Sequence, residues 1–247
     1  MIKLSERLKT IADCIHKGES IADIGTDHGL LPIFLYQQGI SDKIIMSDIK
    51  EGPLEKARNN LESFAPKMNA DIRLGSGLNP ISMNEVDNII IAGMGGVLIT
   101  QILEENLEKT VGFKKYILQP RTGQDKLREW LFLNGFAIID EYLVREGHHL
   151  CEIIVTVPNP NIQLKEEDRK ALLTKMRSDL FFEISPLLLY KKDPLLQDFI
   201  ERKIHKDQKI ISEILVNGNE NNNDKVIESK KRINKLQLLL EQVKKDT

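Results

Sequence analysis

Asp23, Gly25, Thr26, Asp27, His28 and Gly29 stand together in one short segment, Asp-Ile-Gly-Thr-Asp-His-Gly. Two glycines let a backbone come close to a ligand, and the acids offer it hydrogen-bond acceptors. The segment follows the apolar entry Ile21-Ala22 and leads into Leu30-Leu31-Pro32-Ile33-Phe34-Leu35. That order reads as strand, glycine turn, helix, a geometry that seats a nucleotide-like ligand at the positive end of a helix. The spacing is acid-x-Gly-x-x-x-Gly, not the Gly-x-Gly-x-x-Gly of a dinucleotide fingerprint. A plain strand–helix turn with two glycines produces the same string, so the segment needs company before it means binding.

Asp48 supplies part of that company. It ends a second strand, with Ile49 beside it, where doubly wound folds place an acid against ribose hydroxyls. The competing reading is a surface acid ahead of a helix, where the macrodipole favours it anyway. Such an acid serves S-adenosylmethionine (SAM) and NAD alike. Gly75-Ser76-Gly77 follows a third strand, where many methyltransferases bind the adenine amino group; a simple turn fits equally. Ala92-Gly93-Met94-Gly95-Gly96 follows a fourth strand, at the point where ligands bind in open α/β sheets. So many glycines at one strand end are costly unless something must approach the backbone. The Asn-Pro-Pro-Tyr string of many amino-group methyltransferases is missing there, which argues for a different target nitrogen. Gln119 and Arg121 end a fifth strand. They suit a base edge or cofactor carboxylate and a phosphate respectively, or they simply cap the sheet end.

These segments need a scaffold, and the apolar pattern provides one. Helical spacing runs over Ser5–Ile15, with Ser5 a candidate N-cap. Strands at Ile21–Ile24, Lys43–Ser47, Ala70–Leu74, Val86–Ile91 and Lys115–Leu118 alternate with helices at Leu30–Gln38, Gly52–Phe64, Gly96–Leu107 and Gln124–Asn134. Pro53 sits in a first helical turn, where its missing N–H costs nothing. Phe136–Val144 and Leu150–Val157 follow with no helix between them and read as an antiparallel pair. The pattern predicts an α/β fold: a Rossmann-like, seven-stranded, mostly parallel sheet with an antiparallel edge, as in class I methyltransferases. A Rossmann-type dinucleotide domain is the alternative.

Pro158-Asn159-Pro160-Asn161 reads as a linker, dividing a domain at 1–160 from an all-α domain at 161–247. The spacing predicts one helix over Glu166–Tyr190 kinked at Pro186, another beginning at Pro194, a polar turn at 217–223, and a last helix carrying Val226, Ile233, Leu236, Leu240 and Val243. Apolar residues three and four apart, with Lys and Glu between, suit an antiparallel coiled-coil hairpin. A cap that merely packs or dimerises has the same pattern.

Composition excludes several classes. The 247 residues are 41% hydrophobic, enough for a full α/β domain with an appendage. No run of eighteen apolar residues suggests a membrane span, and the N-terminus is too polar for a signal peptide. Two cysteines make no disulfide framework, and a cytoplasmic protein with reduced thiols is expected. No metal site is expected; adjacent His148 and His149 point to opposite sides of a strand. Residues 1–160 hold 17 basic and 22 acidic residues, and residues 161–247 hold 18 and 15, so the C-terminal part is the more basic.

The strings Leu4-Ser5-x-Arg7-Leu8, Ala22-Asp23-Ile24-Gly25-x-Asp27-His28, Gly75-x-Gly77-Leu78, Ile91-Ala92-Gly93-Met94-Gly95-Gly96, Leu118-Gln119-Pro120 and Arg128-Glu129-Trp130-Leu131 resemble the bacterial tRNA (adenine-22-N1)-methyltransferase family. The likeness covers roughly residues 4–157, and the C-terminal helices in layout. It implies a class I core that binds SAM and releases S-adenosylhomocysteine, with tRNA as substrate. Asp23, Gly25, Thr26, Asp27 and His28 would hold the methionine part, Asp48 and Ile49 the ribose side, and Gly75, Ser76 and Gly77 the adenine side. Ala92 and Gly93 would complete the cofactor wall. Asp27 and Met94 would stand closest to the chemistry, and Arg7, Gln119 and Arg121 would meet tRNA. The resemblance departs at Ser76, where relatives often have Asp, and at Arg121, where some have Asn. A monomer or weak dimer is expected. The other readings are a non-catalytic SAM- or nucleotide-binding protein, and a small-molecule methyltransferase with a dimerising helical tail.

Overall fold

The computed structural model describes residues 2–159, 166–178, 180–216 and 223–245. The chain divides into two compact units, residues 1–168 and 169–247.

In the first unit, β1 (Ile21–Ile24), β2 (Ile44–Asp48), β3 (Asp71–Leu74), β4 (Asn88–Met94) and β5 (Lys115–Pro120) run parallel. The hairpin of β6 (Phe136–Glu146) and β7 (His149–Pro158) joins β5 antiparallel through β7. The strand order is β3-β2-β1-β4-β5-β7-β6. Between β1 and β4 the direction of winding reverses, and a crevice opens there outside the strands' C-terminal ends. The alternation read in the sequence thus gives the Rossmann-like seven-stranded sheet it predicts.

Alternate residues of the central strands supply the two faces of the sheet. Ile89, Ile91, Tyr116 and Leu118 enter one core, while Ile90 and Ile117 enter the other. Both faces are covered, so these strands read as continuous apolar runs without polar alternation. The helices α1 (Glu6–Asp13), α2 (Leu30–Gln37), α3 (Glu51–Phe64), α4 (Gly96–Glu104), α5 (Leu107–Thr110) and α6 (Gln124–Leu133) connect or precede the strands. The Ser5 hydroxyl accepts from Leu8 N–H and caps α1, as its position before the helix suggests.

β4 runs three residues beyond the expected strand. Its register against β5 shifts between Ala92 and Met94, with Gly93 at φ +79°. That is a glycine bulge, which keeps the chain in the sheet while turning its tip. At the neighbouring edge, β5 and β7 pair only from Tyr116 to Leu118. Pro120 has no N–H to offer a continuing ladder.

The second unit is helical: α7 (Glu166–Ser178), α8 (Pro186–Tyr190), α9 (Leu196–Val216) and α10 (Asn223–Lys245). The expected single helix over 166–190 is instead broken. Leu180 adopts a left-handed φ of +62°, and Ser185 accepts from Leu187 N–H to start α8 with Pro186 at its first turn. Proline here opens a new helix and does not kink an old one. α9 and α10 form an antiparallel hairpin, marked by the ion pairs Asp207–Arg232 and Glu201–Lys244 at 3.1 and 3.3 Å. Leu196, Phe199, Ile200, Ile204, Val226, Ile233 and Leu236 are buried apolar positions of these two helices. Of the expected polar turn, residues 217–222 lie outside the described residues, as do Pro160 and Asn161 of the expected linker.

Candidate active site

Asp23 sits on β1 and is 8% exposed. Burial pushes its carboxyl up to about 6, and the like charge of Asp48 adds in the same direction. The Thr26 hydroxyl lies near enough to oppose this, although it does not reach hydrogen-bonding geometry. The turn after β1 is stitched to β2: the N–H groups of Gly25 and Thr26 both donate to Ser47 O, at 2.8 and 3.0 Å. Asp27 N–H donates back to Gly25 O at 2.9 Å, so the turn is tight. Gly29, at φ +65°, begins α2; a Cβ there would stand 3.0 Å from Met46 Sδ and 3.1 Å from Ala57 Cβ.

This stitching leaves Asp27 and His28 pointing outward. Asp27 is 71% exposed, with its Oδ2 3.3 Å from His28 Nε2. The carbonyl of His28 accepts from Asn60 Nδ2 at 2.9 Å, which ties the turn to α3. At the tip of β2, Asp48 Oδ1 accepts from Lys50 N–H at 2.8 Å, and the exposed side chain of Ile49 follows it. Gly75 N–H donates to Asp48 O at 2.9 Å, so the Gly75–Gly77 turn is fixed to that tip. Ser76 is exposed, and its carbonyl accepts from Asn79 N–H at 3.0 Å. Gly77, at φ +52°, packs close to Ile102.

Opposite β1, the bulge at Gly93 presents bare backbone: a Cβ there would meet nothing within 4 Å. The left-handed φ, not crowding, calls for glycine. Met94 O accepts from Arg121 N–H at 2.7 Å, which holds the ends of β4 and β5 together. Arg7, Asp23, Gly25, Thr26, Asp27, His28, Asp48, Ala92, Gly93, Met94 and Arg121 line one cleft of about 340 Å³, within the range of small-molecule sites. Most of the residues singled out in the sequence therefore converge. Ile49 and the Gly75–Gly77 turn stand beside Asp48 and do not line the cleft.

Gln119 is placed differently from its expected contact with tRNA. It is 2% exposed, and its Oε1 accepts from both Arg7 Nη1 at 3.0 Å and Gly93 N–H at 3.1 Å. Its amide nitrogen donates to Pro120 O at 3.2 Å. It stands behind the cleft and holds the bulge and Arg7 in place. Arg7 Nε also pairs with Glu146 Oε2 at 2.9 Å. A second cavity, of about 290 Å³, adjoins the cleft and shares Arg7 and Arg121 with it.

The sequence reading gave Arg128 no role, yet it is a buried anchor of the hairpin. It is 2% exposed and pairs with Glu141 at 2.7 Å and Glu152 at 2.6 Å. The signal was an arginine between Leu127 and Leu131 on the buried face of α6. Among the described residues no group of three or more His, Cys, Asp or Glu side chains is placed to hold a metal, and no helix is long and apolar enough to cross a membrane.

Residues 4–154 match the family model of a methyltransferase domain. The tRNA (adenine(22)-N(1))-methyltransferase of Bacillus subtilis is 32% identical over 213 residues, 86% of this chain and 86% of that protein. The crystal structure of the B. subtilis m1A22 tRNA methyltransferase superposes with a TM-score of 0.81 at 31% identity, covering 97% of this chain and 100% of that one. Streptococcus pneumoniae Sp1610 in complex with S-adenosyl-L-methionine superposes with a TM-score of 0.74 at 31% identity, covering 94% and 99%.

Proposed function

Since the chain belongs to the tRNA (adenine(22)-N1)-methyltransferase family, we propose that it transfers the methyl group of SAM to N1 of an adenine in tRNA, at position 22. The observation that carries this is the cleft at the β1/β4 crevice, where an acid-flanked glycine turn faces a glycine bulge. The residues fit the cofactor. Gly93 leaves bare backbone with open space before it, Asp48 offers a carboxylate for ribose hydroxyls, and Asp23 offers one for the methionine ammonium. Ile49, exposed beside Asp48 and outside the cleft itself, would give the nucleoside end an apolar surface.

SAM supplies an electrophilic methyl group on a sulfonium. Adenine N1 carries a free lone pair, so no base has to deprotonate it first. The protein's task is to bring N1 into line with the methyl group and keep water out. Gly93 and Met94 shape the entry from the substrate side. Transfer leaves positive charge on the adenine, and the Asp27 carboxylate would balance it. N1 is hidden in a base pair, so the nucleotide has to be taken unpaired or flipped outward.

Arg7, Arg121 and the more basic residues 161–247 are the parts suited to a phosphate backbone. The core through residue 160 would hold the cofactor, and the helical coiled-coil hairpin would hold tRNA, with the enzyme acting in the cytoplasm as a monomer or weak dimer. The test is incubation with methyl-labelled SAM and unmodified bulk tRNA, followed by mapping of the labelled nucleoside. Label at N1 of adenine 22 supports the reading. Label elsewhere, or none while SAM is bound, overturns it.

A further inference from the structure

β5 and β7 part company at Leu118, and the space that opens between them has a defined chemistry. Pro120 cannot donate to a ladder, so β7 continues from Ile153 back to His149 with β6 as its ladder partner. The resulting cavity, of about 290 Å³, is lined by Pro120, Leu150 and Cys151, by Gln119 and Glu146, which both hold Arg7, and by Arg121 and His149. Arg121 and His149 are exposed, while Pro120 is buried and Leu150 and Cys151 are half-buried. Arg7, fixed by Gln119 and Glu146, lines this cavity and the cofactor cleft, as Arg121 does, so these two side chains mark the border between the two spaces.

From this arrangement we infer that the β5/β7 gap is the seat of the nucleotide being methylated. The inference rests on the methyltransferase reading and adds the residues that receive the substrate. An unpaired base needs apolar surface against its ring faces and a cation near its phosphate. Pro120, Leu150 and Cys151 provide the first, and Arg121 the second. The gap also lies on the correct side. It opens at the C-terminal end of β5, next to Gly93 and Met94, so a base held there reaches the cofactor cleft past Arg7.

Two measurements test this on the full-length protein. Leu150→Trp puts an indole into the gap and leaves every cofactor-cleft residue unchanged. We expect kcat/KM for tRNA to fall at least tenfold, with the SAM dissociation constant within twofold of wild type. The wild-type protein measured alongside reports on the methyltransferase reading itself, and the ratio of variant to wild type reports on the gap. A Leu150→Trp enzyme as active as wild type overturns the proposal. The second measurement uses wild-type protein and follows maleimide labelling of its two cysteines by mass spectrometry. With S-adenosylhomocysteine present, saturating tRNA should slow labelling of Cys151 at least fivefold and leave Cys14 unaffected. Unchanged labelling of Cys151 in the tRNA complex overturns the proposal whatever the Leu150→Trp protein does.

Discussion

The Cβ that Gly25 lacks would overlap the Cε of Met94. One residue lies in the turn after β1 and the other at the tip of β4, so the two ends of the cleft touch across the β1/β4 crevice. Gly25 is also at φ +78°, a conformation that side chains disfavour. Two separate demands fall on one position: room for Met94, and a left-handed backbone that lets the N–H groups of Gly25 and Thr26 reach Ser47 O.

These demands can be separated by mutation. Gly25→Ala should weaken SAM binding at least tenfold, because backbone strain of about 1–2 kcal/mol adds to the displacement of Met94. Met94→Ala in the same chain removes the overlap and leaves the strain. The double variant should regain part of the lost affinity, a coupling that a double-mutant cycle with calorimetric SAM affinities measures. Strict additivity would show that Met94 does not press on the turn.

Asp23 gives a pH signature. Its carboxyl is neutral below about pH 4 in folded and unfolded chains alike, since the ordinary value is 3.8 and the folded value about 6. Between those values ionisation occurs first in the unfolded chain, so stability falls as pH rises and the deficit persists above about 6. The two-unit displacement is worth about 3 kcal/mol at most. Asp23→Asn should therefore raise the melting temperature at pH 7.5. It should also weaken the cofactor's hold, because the ionised carboxylate is the form that attracts an ammonium. Wild-type SAM affinity should be steady above pH 7 and fall by up to tenfold per unit below about 6, and the Asn variant should lack that slope. A variant that melts no higher than wild type at pH 7.5 and keeps the slope would remove Asp23 from both roles.

Asp27 lies four residues from Asp23 and is much more exposed, so its contribution should be to rate alone. Asp27→Asn keeps the shape of the turn and removes the charge. Turnover on tRNA should drop roughly tenfold, the worth of a partly solvated charge near a developing cation, while SAM affinity stays within twofold. Single-turnover methylation with pre-bound SAM reads the step directly. Unchanged turnover would remove Asp27 from the chemistry.

Much of this was legible in the sequence because it is local. The β/α alternation, the turn at Asp23–Gly29 and the acid at Asp48 depend on periodicity and glycine placement, which neighbouring residues reveal. The bulge at Gly93 was half visible: the glycines stood out, but the continuation of β4 to Met94 depends on pairing with β5. That Gln119 is buried and holds Arg7 and Gly93 was hidden because burial is a tertiary property, and its two partners lie 112 and 26 residues away in the chain. The break near Leu180 was hidden since Leu, unlike Gly, does not signal a left-handed residue.

Arg128 shows the same limit and gives the last prediction. Glu141 and Glu152 lie 13 and 24 residues beyond it, on β6 and β7, and with it they form a triad of one cation between two acids. Burial is the largest influence on Glu141 and pushes its carboxyl up, while Arg128 pulls it back. Arg128→Met removes that pull and leaves two carboxyls in an apolar place, which should cost about 3–5 kcal/mol at pH 8. Because the Glu141 carboxyl, already pushed up by burial, can escape by taking up a proton, the deficit should shrink on acidification and be smaller at pH 5 than at pH 8. Adding Glu141→Gln and Glu152→Gln to Arg128→Met should recover part of the loss, as the buried charge is then gone. Trp130 is the chain's single tryptophan and sits two residues away on α6, so its fluorescence in urea titrations follows this region directly. Equal stability of Arg128→Met and wild type at pH 8 would mean that the triad contributes nothing to holding the hairpin on the sheet. The β5/β7 gap would then need another source of rigidity.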